Sequence, residues 1–242
     1  MTTSKPLISV IMPVYNGGST IRQAVESVFC QNIPLELLDQ TSEVLSVYQD
    51  RPDFHYLKNP HNIGAAASRN RGVQEAHGQY VAFLDADDWW ENGKLLLQLD
   101  TLHETGRVLC STGRELMNYD GTPAGKYIPV KETVSYRDLL KHNSINCSSV
   151  LLLRDVAAEF PMEHDDSHED YLTWLKILRK YGPAAGIDRP LLKYRMSKTS
   201  KSGDKKKSAI MTYKVYRYMG YSHMHCILYF ISYAIHGFWK YR

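Results

Sequence analysis

The chain carries little net charge: 29 Lys and Arg against 26 Asp and Glu leave +3 over 242 residues. That balance supplies no electrostatic footprint for nucleic acid, and the aromatic residues are not interleaved with a basic stripe, so a small-molecule partner is expected and nucleic acid is not. Cysteine is scarce. Cys30, Cys110, Cys147 and Cys226 stand far apart, with no CxxC pair and no histidine at zinc-site spacing, which excludes a disulfide framework or a zinc module and fits ordinary thiols in a reducing compartment. Residues 7–14 are apolar but few, are broken by Pro13 and precede no small-residue cleavage site, so no signal peptide is expected. No glycine-rich basic loop follows the first apolar run, which argues against a nucleotidyltransferase holding a triphosphate.

What is there centres on residues 80–90, YVAFLDADDWW. Residues 80–84 have the composition of a central strand buried on both faces, and Asp85, Asp87 and Asp88 crowd its C-terminal end, the edge at which open α/β sheets bind ligands. Carboxylates two apart on an extended backbone point the same way, so Asp85 and Asp87 can converge on one hard cation or one nucleotide. Alone, the same residues are equally an acidic turn capping a helix.

Upstream, residues 6–15 (PLISVIMPVY) are β-branched and apolar, Asn16-Gly17-Gly18 turns the chain, and residues 21–30 show one apolar helical face. Residues 35–50 (LELLDQTSEVLSVYQD) are ambiguous: Leu37, Leu38, Val44, Leu45 and Tyr48 suit a helical stripe, while residues 35–38 also read as a very short strand ending at Asp39. Residues 54–58 are strand-like. A helix opens near Gly64, its small Ala65, Ala66 and Ala67 allowing close approach to a sheet or ligand; on it, Arg69 can reach a diphosphate or the carboxylates of the acidic turn.

Downstream, helices are expected over 93–104 and 136–142, strands over 108–112, 147–153 and 185–194, and a hairpin turn with Asp120-Gly121 at its tip. Residues 163–170 (EHDDSHED) lead into a helix over 171–181. Glu169 and Asp170 stand at its start, where acidic residues usually only cap, and His164, Asp165, Asp166 and His168 read as a solvated loop rather than a metal site. Residues 197–207 (SKTSKSGDKKK) form a basic linker, or a flap that orders over an anionic ligand. The tail contains no Asp, Glu, Lys or Arg from 218 to 239, yet its serines, histidines and glycines make it a poor membrane span. It reads as an aromatic helix lying in a membrane interface, or as one packed on the domain or a partner.

ISVIMPVYNGG, NPHNIGAAASRNRGVQEAHGQYVAFLDADDWW, HEDYLTWLKIL and KYRMSKTS, in this order, resemble glycosyltransferase family 2, inverting enzymes of the GT-A fold. The resemblance covers most of residues 6–217. It implies an α/β fold, with a Rossmann-type, mostly parallel sheet flanked by helices, in a domain over 1–203, followed by an amphipathic helical tail over 204–242. It also implies a nucleotide-sugar donor, UDP-linked, a glycan or lipid-linked acceptor, and a Mn or Mg ion, with the chain cytoplasmic and peripheral on the inner face of the cell membrane. Pro13, Tyr15 and Asn16 would line the base pocket, Asp85 would face the nucleotide, Asp87 would take the metal, Arg69 would add charge at the diphosphate, and Asp170, paired with Glu169, would be the general base.

One departure stands out. The family has a full second strand ending in an Asp-Asp-Gly-Ser-like turn; here either residues 35–38 are a shortened strand with Asp39 standing in for the nucleotide-binding carboxylate, or the strand is missing. The second case would favour a catalytically impaired, transferase-like subunit that binds a partner or membrane.

Overall fold

The computed structural model describes residues 6–15, 18, 20–31, 33–39, 48, 50–196 and 205–240, with backbone only at 39, 205 and 235–240. The first half alternates strand and helix: β1 (Ile8–Met12), α1 (Ile21–Phe29), β2 (Leu35–Asp39), β3 (Phe54–Tyr56), α2 (Ala65–Glu75), β4 (Tyr80–Phe83), β5 (Trp89–Trp90) and α3 (Lys94–Thr105). The second half adds β6 (Leu109–Met117), β7 (Pro123–Ile128), β8 (Thr133–Val134), α4 (Tyr136–Lys141), β9 (Leu151–Leu153) and α5 (Arg154–Glu159). It ends with α6 (Glu169–Tyr181), β10 (Ala184–Arg195), α7 (Lys205–Tyr218) and α8 (His223–Lys240).

One sheet runs β3-β2-β1-β4-β9-β6-β10-β5, parallel from β3 to β4 and again between β6 and β10, as a mostly parallel α/β sheet requires. Antiparallel β9 joins the two parallel groups by pairing with β4 and β6. The ambiguity over residues 35–50 is resolved for its first part. Residues 35–39 form an inner strand, with Met12 in register with Asp39 and Asp39 with Tyr56. The helical stripe through Leu37 and Leu38 does not hold there. Both leucines are buried because the inner strand is covered on both faces. Residues 40–47 lie outside the described residues, as does most of the basic linker at 197–204.

Alternation along β1 divides the core. Ile8, Val10 and Met12 pack with α1 and α3, whereas Ile11 joins Val73, Phe83, Leu172 and Trp174 on the opposite face. A Cβ at Gly72 would lie 2.5 Å from Ile11, so glycine lets α2 settle on β1. The tail is two helices. Val215, Tyr216, Met219 and Cys226 belong to the same buried cluster as Leu172 and Trp174, so α7 and α8 are packed on the domain.

Candidate active site

The acidic residues after β4 are gathered by a turn. The strand ends at Phe83, and the Asp88 N–H donates to the Asp85 carbonyl at 3.0 Å. The alternation of an extended backbone therefore does not orient Asp85 and Asp87. Three other elements hold the turn. Ser148 Oγ accepts the Asp85 N–H at 3.1 Å, while the Ser148 carbonyl accepts the Trp90 indole N–H at 2.7 Å. Residues 147–149 are accordingly a short 3₁₀ turn rather than the start of a strand, with Asn146 accepting the Ser148 N–H.

Arg195, at the end of β10, holds the turn from the other side. Its backbone N–H donates to Asp88 Oδ1 at 2.9 Å and its Nε to the Asp87 carbonyl at 2.9 Å, while Nη1 reaches the Tyr119 carbonyl and Nη2 reaches Gln23, each at 2.7 Å. The guanidinium lies 4.9 Å over the Trp89 ring. Sequence reasoning gave Arg195 no role. Its partners span nearly the whole chain, and only the KYR run at the strand end marked it.

Arg69 joins the two acidic groups. Buried on α2, it donates from Nη2 to Asp85 Oδ1 at 2.5 Å and from Nη1 to Glu169 Oε1 at 3.4 Å. Of the two destinations expected for it, the structure shows the carboxylates of the acidic turn. Glu169 and Asp170 form the first turn of α6, where the exposed N–H groups favour negative charge. The Tyr171 N–H donates to Asp170 Oδ1 at 2.7 Å. Burial, then the adjacent Glu169, pushes the Asp170 carboxyl above the usual carboxylate range. Burial and Asp85 likewise raise Asp87, and burial with both neighbours raises Asp88 well above it.

The loop before α6 is exposed at His164, Asp165 and Asp166, as expected of a solvated loop, and is also held at several points. Asn70 exchanges two hydrogen bonds with the Met162 backbone, His164 stacks on Tyr218 at 3.7 Å, and Asp166 pairs with Lys214 at 2.6 Å. His168 bonds Ser208. Among the described residues no group of three or more His, Cys, Asp or Glu side chains is placed to hold a metal.

Beside these groups lies a cleft of 310 Å³, lined by Pro13, Tyr15, Tyr56, Lys58, Asn62 and Gly64 among others. Pro13 and Tyr15 are thus brought together as expected, Tyr15 with its ring exposed. Asn16 lies outside the described residues. The Asp39 backbone ends β2 beside Tyr56, at the same sheet edge. The sequence marks Tyr56 and Lys58 only as part of a strand, and Asn62 only as the approach to a helix, with no role at a ligand.

A family model described as glycosyl transferase family 2 matches residues 9–159. TuaG of Bacillus subtilis, which bears the name of a teichuronic acid biosynthesis glycosyltransferase, is 37% identical over 97% of this chain and 97% of its own. WfaP of Escherichia coli, named as a UDP-Glc:alpha-D-GlcNAc-diphosphoundecaprenol beta-1,3-glucosyltransferase, is 32% identical over 97% of this chain and 95% of its own. Among solved structures, the mannosyltransferase PcManGT of Pyrobaculum calidifontis, in complex with GDP-Man and Mn2+, superposes with a TM-score of 0.63 at 17% identity, covering 94% of this chain and 70% of that one, a likeness of fold. With a family match over more than half its length and full-length relatives above 30% identity, this chain belongs to glycosyl transferase family 2 and is a transferase of the GT-A fold.

Proposed function

We propose that the chain transfers a sugar from a UDP-linked donor to a hydroxyl of a glycan or lipid-linked acceptor, with inversion, in the building of a cell-envelope polysaccharide. One observation carries this reading: Arg69 ties Asp85, at the ligand-binding edge of the sheet, to Glu169, so a donor-side acid and the immediate neighbour of the candidate base Asp170 share one buried cation. The names of TuaG and WfaP support the polysaccharide and lipid-linked parts.

In this reading the cleft at Pro13, Tyr15, Asn16 and Asp39 takes the base, and Arg69 acts by fixing the Asp85 carboxylate. Asp170 accepts the proton of the attacking hydroxyl as its oxygen bonds to the anomeric carbon and the bond to the diphosphate breaks, the electron pair leaving with UDP. A carboxylate whose pKa is raised by burial, and then by its neighbour Glu169, is shifted in the direction that suits a general base. Glu169, ion-paired with Arg69, is its neighbour in the pair.

A Mn or Mg ion fits the donor set. Such ions are held by one or two carboxylates together with substrate phosphates, so Asp87 suffices without a protein cage. Beyond burial, Asp85 pushes Asp87 upward, and Asp85 and Asp87 push Asp88, a crowding of like charge that a cation would offset. When bound, it would neutralise charge on the departing diphosphate. The impaired-subunit reading rested on a missing inner strand, and β2 is in place.

Calorimetric titration of the full chain with UDP, with and without Mn2+, tests the proposal. Metal-dependent binding is expected, weakened on the order of tenfold or more in Asp87→Ala. A folded chain that binds no nucleoside diphosphate would overturn it.

A further inference from the structure

The two C-terminal helices carry a surface that the transfer reaction does not use. Met224, Ile227, Leu228 and Ile231 of α8 are 75%, 53%, 62% and 50% exposed. Their spacing of three, four and seven residues makes them one stripe along the helix. The inner side of α8 is already engaged: Cys226 is fully buried, Tyr229 packs on Tyr221 at 4.9 Å, and Tyr233 stacks on His142 at 5.8 Å. The outward stripe is therefore not a core face left unfilled by its own domain.

Charge says what it meets. All 26 Asp and Glu residues precede position 205, whereas seven of the 29 Lys and Arg residues lie at 205 or beyond, which leaves residues 205–242 at +7 and residues 1–204 at −4. A stripe of large apolar side chains on a segment without a single carboxylate is complementary to an anionic lipid surface. It is poorly suited to a second copy of the chain, since pairing stripe to stripe would set two such cationic segments against each other. Among the described residues no helix is long and apolar enough to cross a membrane.

Attachment gives the surface a purpose. Ser208 in α7 bonds His168, and Tyr233 in α8 sits 6.1 Å from Tyr171, so both helices touch the residues that flank Glu169 and Asp170. We propose that α7 and α8 dock this chain on an anionic phospholipid bilayer through the stripe Met224, Ile227, Leu228 and Ile231, holding the acceptor side of the cleft near the membrane.

Flotation of the full chain with vesicles tests this, without nucleotide or acceptor, so the result does not depend on the transferase reading. About tenfold more protein is expected on phosphatidylcholine vesicles containing phosphatidylglycerol than on phosphatidylcholine alone, the excess falling as salt is raised. The double variant Ile227→Asp, Leu228→Asp should lose that excess while keeping the wild-type thermal melt and UDP affinity. Equal flotation of the wild type with both vesicles overturns the proposal, as does undiminished binding by a folded double variant. A dimer in sedimentation velocity that the double variant dissolves would assign the stripe to a second copy instead.

Discussion

Two buried charge networks lie at opposite ends of the same parallel strands, and they differ in completeness. At the N-terminal end, Glu36 on β2 accepts the Ser9 hydroxyl and the His77 N–H, the latter at 2.6 Å, with the His77 and His55 rings at 3.3 and 3.5 Å. Ser9 in turn accepts the Gly78 N–H at 2.8 Å. Both Glu36 oxygens are used. At the C-terminal end, among the described residues, Arg69 Nε and Asp88 Oδ2 are buried without a partner, and three neighbouring carboxylates face one another across a turn. A closed polar network stabilises, and an open one keeps donors and acceptors in a low-dielectric site for something not yet bound. The difference teaches that burial of charge alone does not mark an active site; incompleteness at a ligand-binding edge does.

The largest expected effect breaks the open network at its base. Asp170→Asn should lower kcat by about 10³-fold, or ~4 kcal/mol of transition-state stabilisation. UDP affinity should be unchanged. Stability should not fall at neutral pH: burial and Glu169 raise the Asp170 pKa, so the native state is penalised as pH rises through that value, and asparagine removes the penalty. For the same reason wild-type activity should decline on acidification at a pH above the usual carboxylate range. Transfer by Asp170→Asn at the wild-type rate would remove Asp170 as the base.

Breaking the closed network should do the reverse. Glu36→Ala strands the Ser9 hydroxyl and the His77 N–H inside the sheet, and we expect a loss of about 3 kcal/mol in urea unfolding. UDP titration should be unaffected, because the cleft proposed for the nucleotide is lined from the other end of the strands. If Glu36→Ala abolished nucleotide binding while its stability held, the division between a stabilising end and a functional end would be wrong.

Much of the open end was legible. An apolar strand ending in three aspartates, and a helix opening on Glu169-Asp170, announce themselves through composition and helix-dipole chemistry. The closed end was not. Glu36 looks like a charge inside LELLD, and nothing local shows that His77, 41 positions away, and Ser9, 27 away, will satisfy it. Residues 35–38 were ambiguous for a related reason: a strand buried on both faces loses the alternation that identifies strands, and its leucines then fit a helical stripe equally well. Arg69 and Arg195 were visible as residues but not as connections. Their partners lie 16 and 100 positions away for Arg69, and 76 to 172 away for its contacts at Tyr119 and Gln23 in the case of Arg195, separations that only the tertiary fold closes. Asp85 and Asp87 were found, but their geometry was misjudged, since the strand stops two residues before Asp85 and a turn takes over.

A third buried charge separates the two properties that the comparison joins, hydrogen bonding and ionic pairing. Lys94 on α3 is wholly buried, with Nζ 2.7 Å from Gln98 Oε1 and 4.2 Å from the centre of the Trp90 ring, and no salt bridge is found for it among the described residues. The nearby Cys110 thiol is pushed by burial up to about 12 and so supplies no anion at neutral pH. Burial pulls Lys94 down from 10.5 to about 7. The unfolded chain keeps that proton until well above pH 8.5, whereas the folded chain releases it near 7, so over this interval the unfolded state binds more protons and stability rises with pH. The rise should reach about 2 kcal/mol between pH 7 and 8.5, and Lys94→Met, similar in length and uncharged, should flatten it with no change in UDP affinity. Urea midpoints across that range decide the matter. A slope equal in both proteins would mean that Gln98 and the Trp90 face hold the ammonium charged, and that a hydrogen bond and a ring can replace the counter-ion that Arg69 finds in Asp85.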